Sequence, residues 1–417
     1  MKILIYWEQE SWGGVDSHLL SLLSSWPVSD DHFLVMVNKG NPGYLRIKNE
    51  LLSIPNVSIV EVKSFSINEI NYRLRQIPYV GKWIAKFIII LNPIIFPLSV
   101  LSFYKHLKPF KEFDIFVGNN GAYPGAWGTL SALMASKLLG IPVRALLVHH
   151  TASHLSQLWT GFDVIIDKMI TKGASVIICV SHATKKTLLV RRRFNDELVR
   201  VRVIHNGVPR SKDKGGDYGG IRGLVNLGPD QLLLGILGRV TPYKGHEDLL
   251  FALARLPDHY KIHIKAVIIG GAEGDYAGRL KRLAINLGVE SQIFFAGYIA
   301  GDSSKLVAQL DLVLMLTRSF EGFGLTLAEA IRNGVPILAT RVGAVEEFVV
   351  EENGKIINPG SPSEIADALI SFIDNPSGWK EKADSVRCMD AFSCEAMATE
   401  YRQLFSELII AIRESEM

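Results

Sequence analysis

Apolar runs of strand length alternate with stretches of helical pattern along this chain, and the alternation happens twice. In the first half the strand-like runs are residues 2–7, 33–37, 57–62, 115–118, 143–149 and 176–180, with helical stretches such as 17–25 and 125–139 between them. The series restarts at 232–237 and continues through 262–270, 292–295, 312–316 and 335–339, with helices near 246–256, 276–287, 303–309 and 325–333. Strand, helix and strand in succession place neighbouring strands parallel, so each series predicts a parallel sheet wrapped by helices. Residues 208–231 between them hold six glycines and little that could form a core, which marks a linker or hinge.

The expected fold class is therefore α/β, with two Rossmann-like doubly wound domains facing a cleft. The boundaries are 1–207 for an N-terminal, acceptor-binding domain, 208–231 for the linker, 232–390 for a C-terminal, nucleotide-binding domain, and 391–417 for a helical segment able to pack back on the first domain. A length of 417 residues suits this count. Ligands of such sheets bind beyond the carboxyl ends of the strands.

A net charge of +3 is too small to argue for nucleic acid, and no arginine-rich tail, zinc-type spacing or aromatic-basic repeat adds to it. Cys179, Cys388 and Cys394 are too few and too scattered for a disulfide framework, which fits a reducing compartment. The first strand opens at residue 2 without a signal-peptide pattern, so the expectation is a cytoplasmic protein. One region complicates this. Residues 83–104 are densely apolar but broken by Asn92, Pro93 and Pro97, short of the run of about 20 that a spanning helix needs. Around it stand Lys63, Arg73, Arg75, Lys82, Lys86, Lys105, Lys108 and Lys111, against Glu61 and Glu69. An apolar wedge set among cations suits an anionic membrane surface, so region 63–111 is expected to act peripherally at the inner face of the plasma membrane. A helix pair covering the core, with a solvated basic face, is the other reading.

The chemistry concentrates where a strand-like run, residues 311–317, meets Glu321-Gly322-Phe323-Gly324 and a helical run ended by Gly334 and Pro336. A glycine turn at a helix N-terminus is an anion site: amides converge there and the helix dipole favours negative charge. Glu321 and Glu329 flank the turn, which suggests a guest with hydroxyls beside its phosphate. Gly238-Arg239 and Lys244-Gly245 follow the first strand of the second series. Two loop cations alone read as solvated charges. Beside the glycine turn they could neutralise a departing diphosphate without metal, and no Asp-x-Asp pair occurs in the chain.

The combination Gly-Arg-x4-Lys at 238–244 followed by Glu-Gly-Phe-Gly-x4-Glu at 321–329 resembles the retaining, metal-independent glycosyltransferases of the GT-B fold, family 4 type. The resemblance extends along the chain through the Gly-Gly loop beginning at Trp12, His149-His150-Thr151, the helix start at Ser181, and Asn206-Gly207-Val208. It implies a hexosyltransferase that moves a sugar with retention from a UDP-, GDP- or ADP-sugar to a membrane-associated or cell-surface polysaccharide or glycolipid, with no cofactor and no metal. Arg239 and Lys244 would grip the diphosphate, with the amides of Gly322, Phe323, Gly324 and Leu325 and with Gly14. Glu329 would accept from the ribose hydroxyls and Glu321 from the transferred sugar. His150 would lie near the reacting centre and Tyr298 at the base pocket.

Other readings remain open at this level. Glu321 could cap the helix, Glu329 could be a solvated helix residue, and Gly13 and Gly14 could serve only a tight turn. Alternation along a strand would send His149 and His150 to opposite faces, and the Thr151 that follows favours His150. A nucleotide-sugar epimerase, a phosphorylase and a non-catalytic partner subunit share the fold. Donor base and sugar, acceptor, linkage and oligomeric state are not written in these motifs.

Overall fold

The computed structural model describes the chain except residues 10–12, 76, 78–90, 196–198, 212–219, 273, 386–391 and 417. Trp12, Cys388 and positions 83–90 of the apolar segment therefore lie outside the described residues. The chain divides into two units, Met1–Asn206 with Cys394–Met417, and Gly207–Ser393. Residues 208–231, the linker of the sequence reading, group with the second unit, where the Val208 amide donates to the Phe392 carbonyl at 2.9 Å.

In the first unit, β1 (Lys2–Trp7), β2 (His32–Asn38), β3 (Val57–Val62), β4 (Ile115–Asn120), β5 (Val143–Val148), β6 (Val176–Cys179) and β7 (Arg200–Val203) make one parallel sheet ordered β3-β2-β1-β4-β5-β6-β7. Alternation along β1 explains the two cores. Leu4 and Tyr6 point to one face with Phe96, Phe103, Phe116 and Leu130, while Ile3, Ile5 and Trp7 point to the other with Leu19 and Val35. Helices on the first face include α2 (Asn92–Leu107), α3 (Trp127–Leu138) and α4 (Thr160–Gly173); α1 (Gly14–Ser24) lies on the second. The second unit holds α5 (His246–Arg255), α6 (Ser303–Val307) and α7 (Leu325–Asn333). Helix α8 (Cys394–Glu416) returns to the first unit and buries Met397, Tyr401, Leu404 and Phe405 in the α1-side core.

The second sheet comprises β8 (Leu232–Leu237), β9 (Ile264–Ile269), β10 (Ile293–Gly297), β11 (Leu312–Met315), β12 (Ile337–Thr340) and β13 (Gly354–Ile357). It is again parallel, ordered β10-β9-β8-β11-β12-β13. Both sheets are thus doubly wound, with the order reversing beside β1 and β8, and loops after strands at that point are where such folds bind ligands. Strands β7 and β13 escaped the sequence reading. Each is four residues at a sheet edge: β7 alternates Arg and Val, and β13 opens on a glycine. Among the described residues, no helix is long and apolar enough to cross a membrane.

Candidate functional site

Two loops meet at the switch point of the second sheet. After β8 the chain turns through Pro242–Lys244 into α5, and after β11 it runs through Arg318 and Glu321 into α7. Their approach depends on glycine. At Gly245 (φ +75°) a Cβ would lie 1.9 Å from the Leu316 carbonyl oxygen. At Gly343 (φ +57°), after β12, one would lie 2.0 Å from the Glu321 carbonyl oxygen, which accepts from the Ala344 amide at 3.0 Å. Three loops are thereby clamped together. Arg318 locks them further, donating to both oxygens of buried Asp248 at 2.6 and 2.7 Å, while its amide donates to the Tyr243 carbonyl at 2.7 Å.

Within this clamp the Lys244 ammonium lies 2.6 Å from Oε2 of Glu321, so cation and acid, 77 positions apart, form one ion pair. The Arg239 guanidinium donates to the Tyr243 hydroxyl at 3.1 Å, and Lys244 sits 5.6 Å from the centre of the Tyr243 ring. Gly324, the N-cap of α7, has no side chain to cap it. Glu321 is not the cap that its position allowed; its carboxylate is turned to Lys244. Phe323 packs its ring on Phe348, 4.8 Å between centroids, and is buried, so only its backbone is offered to a ligand.

Glu329 is not a solvated helix residue either. It is 4% exposed, accepts from the Ser303 hydroxyl at the start of α6 through Oε1, and its Oε2 has no partner among the described residues. Burial pushes its carboxyl up to about 8, against the Ser303 bond and with Asp302 adding to the rise. A buried acid that holds its proton at neutral pH and leaves one oxygen unbonded is costly to folding and would be satisfied by hydroxyl groups brought against it. Tyr298 follows Gly297 at the end of β10 and is 45% exposed.

In the first unit, Gly14 opens α1 and is exposed. The amide of Gly13 before it donates to Oδ1 of buried Asp16 at 2.7 Å, and Asp16 also pairs with Arg46 at 3.1 Å. β5 ends at Val148, so His149 and His150 lie beyond the strand and its alternation does not govern them. His149 packs inward, its Nε2 2.8 Å from Asn119 Oδ1 and its ring 4.5 Å from that of His18. Burial lowers the His149 ring to about 4, so it is neutral at physiological pH. His18 faces His149 and the Tyr401 ring, the latter at 5.9 Å. His150 is half-buried, its amide donating to the Gly121 carbonyl at 3.0 Å.

Two family descriptions match this chain in succession: glycosyltransferase family 4 over residues 12–212 and glycosyl transferases group 1 over residues 222–387. The chain belongs to the group 1, family 4 glycosyltransferases. An uncharacterized glycosyltransferase of Methanocaldococcus jannaschii is 30% identical over 206 residues, covering 48% of this chain and 51% of that protein. A D-inositol 3-phosphate glycosyltransferase of Corynebacterium glutamicum is 32% identical over 188 residues, covering 42% and 44%. The chain thus spans about half the length of the curated relatives it matches. In three dimensions this glycosyltransferase superposes on the Anabaena protein HepE, crystallised with UDP and glucose, with a TM-score of 0.72 over 98% of this chain and all of that one, at 21% identity. That likeness establishes a shared fold.

Ser303, Gly343 and Asp248, the partner of Arg318, were not singled out in the sequence. Gly343 alone left a signal, a glycine shortly after a strand; the others are ordinary residues whose partners are far along the chain.

Proposed function

We propose that this protein transfers a sugar, with retention and without a metal ion, from a nucleotide diphosphate-sugar to a membrane-associated or cell-surface polysaccharide or glycolipid at the cytoplasmic face of the membrane. The observation that carries the reading is Glu329: a buried carboxyl with one oxygen bonded and one unused, one turn into a helix that begins without a capping side chain. A ribose diol supplies donors for that oxygen, and a diphosphate supplies the negative charge that the helix start and the cations Arg239 and Lys244 favour. The UDP and glucose bound by HepE support the same donor class.

In this reading Gly322, Phe323, Gly324 and Leu325 give backbone amides to the diphosphate, and Gly14 adds one from the first unit. Lys244 moves from Glu321 to the phosphate, which frees Glu321 to accept from hydroxyls of the transferred sugar. His150 lies by the sugar, and the backbone at Tyr298 contacts the base. The anomeric carbon–phosphate oxygen bond breaks as the acceptor oxygen bonds to the same face, and the acceptor proton passes to the departing phosphate oxygen. Cations held at that oxygen are worth roughly 3 kcal/mol each to the barrier, by analogy with oxyanion donors.

Calorimetry with UDP-, GDP- and ADP-sugars on the purified protein tests the donor class. One nucleotide should bind with an affinity that Glu329→Ala weakens, and no binding of any of the three overturns the reading. Donor conversion without acceptor would indicate an epimerase. Inversion at the anomeric centre, read by NMR of the product, or a glycosyl adduct on Glu321, read by mass spectrometry, would overturn the same-face mechanism.

A further inference from the structure

Helix α2 buries Ile95, Phe96, Val100, Phe103 and Leu107 and turns its other side out. On that outer side Ile94, Leu98 and Leu101 are 63%, 49% and 56% exposed, and the same stripe continues at three- and four-residue steps into exposed Lys105 and Lys108. Helix α4, in the same layer, repeats the arrangement. Leu158 just before it and Ile165 within it are 67% and 58% exposed, and Lys168 and Lys172 follow on the outer side. The two helices are tied through Trp127 at the start of α3, whose ring lies 6.0 Å from those of both Phe96 and Phe162.

A crossover helix runs against the strands it connects, so α2 and α4 both begin at the carboxyl edge of the first sheet and end at its amino edge. The outer surface of this layer is accordingly apolar on the side of the strand ends where ligands bind, and cationic on the other. Neither α2 nor α4 turns an acid outward. Between Ile70 and Phe162 the sequence holds only Glu112 and Asp114, and the acids of α4, Asp163 and Asp167, turn inward to Arg192 at 3.1 and 2.9 Å. Among the described residues, Lys105, Lys108 and Lys168 have no ion-pair partner.

We infer that the outer faces of α2 and α4 together form a docking surface for an anionic lipid bilayer. Ile94, Leu98, Leu101, Leu158 and Ile165 enter the headgroup layer while the lysines meet lipid phosphates. The charge decides the occupant. A second copy of the same face would oppose lysines to lysines, whereas a bilayer with anionic lipid offers both an apolar boundary and negative charge. The inference deepens the membrane-bound acceptor proposed above and rests on it only for its purpose. It would hold the carboxyl edge of the first sheet at the level of a lipid-linked acceptor.

Vesicle flotation of the full chain tests this without donor or acceptor, so its failure and that of the transferase reading are separate. Vesicles of phosphatidylcholine with about 30 mol % phosphatidylglycerol should carry at least about tenfold more protein than phosphatidylcholine alone, and salt should weaken the binding. Ile94→Asp with Leu98→Asp, and separately Lys105→Gln with Lys108→Gln, should each cut flotation at least about fivefold with unchanged melting, while Ile285→Asp on the second unit should not. Equal binding to neutral vesicles, or full flotation of both double variants, overturns the inference. So does a dimer in solution that does not float and that Ile94→Asp with Leu98→Asp dissolves.

Discussion

The Lys244 ammonium lies 2.6 Å from the Glu321 carboxylate, so the cation proposed for the departing diphosphate is already held by the acid proposed for the sugar. Neither group is left alone before a donor arrives. Donor binding then requires an exchange of partners, in which phosphate takes the lysine and sugar hydroxyls take the acid. A half-buried pair of this kind stabilises the fold by only about 1 kcal/mol. Lys244→Ala should therefore lower turnover by roughly 10²–10³ while the melting temperature changes little, as steady-state kinetics and thermal melts would read. A Lys244→Ala protein with full turnover rejects the leaving-group role.

Glu329 gives a pH-dependent signature. Its carboxyl stands at about 8 in the folded protein against an ordinary 4.5. The unfolded chain therefore releases a proton that the folded protein keeps. The cost is absent below about 4.5, grows between the two values and is complete above about 8. Glu329→Gln, which removes the ionisable group and keeps an acceptor for Ser303, should raise the melting temperature at about pH 8.5 and hardly at all at about pH 4.5. An equal rise at both pH values would contradict the assignment.

The same residue couples nucleotide binding to protons. Ribose hydroxyls donating to Glu329 favour its ionised form, so a proton should leave as donor binds at neutral pH. Calorimetry in two buffers of different ionisation enthalpy reads that proton. Identical heats in both would argue against the ribose contact, and Glu329→Gln should abolish any difference.

Transfer should survive excess EDTA, because the diphosphate charge is assigned to Arg239, Lys244 and the start of α7. Activity lost to the chelator and restored by Mg²⁺ or Mn²⁺ would reject the metal-free clamp.

Acidification should destabilise the first unit through its buried histidines. Burial holds His149 at about 4, below its ordinary 6.5, and lowers His18 in the same direction. The unfolded chain takes up protons near 6.5 that the folded ring refuses until about 4, so stability is present above the upper value and is lost as pH falls across this window. Urea midpoints should drop between those values, and His149→Gln should flatten the drop.

Where a residue's role follows from its neighbours along the chain, the sequence was legible. Alternating apolar and helical runs were enough to predict two parallel sheets, and α7 was read with the bounds the structure gives it, Leu325–Asn333. Glu321 and Glu329 stood out because a strand, a glycine turn and a helix lie in one short stretch. Partners from different elements did not. Ser303 reaches Glu329 across 26 positions and His149 reaches Asn119 across 30, through a strand order that the alternation of elements does not encode. The inward turn of His149 was likewise invisible, because it depends on where β5 stops.

The path of α8 sets an order of assembly. Residues 394–417 belong to the first unit, although the whole second unit, residues 207–393, precedes them along the chain. During synthesis the second unit is finished before the first can close, since Met397, Tyr401 and Phe405 fill the α1-side core from the last helix. Each large side chain so buried is worth about 2 kcal/mol. Until the ribosome has released that helix, the nascent first unit presents an open apolar seam. Its closure thus waits for a helix made after the whole second unit, rather than for its own strands alone.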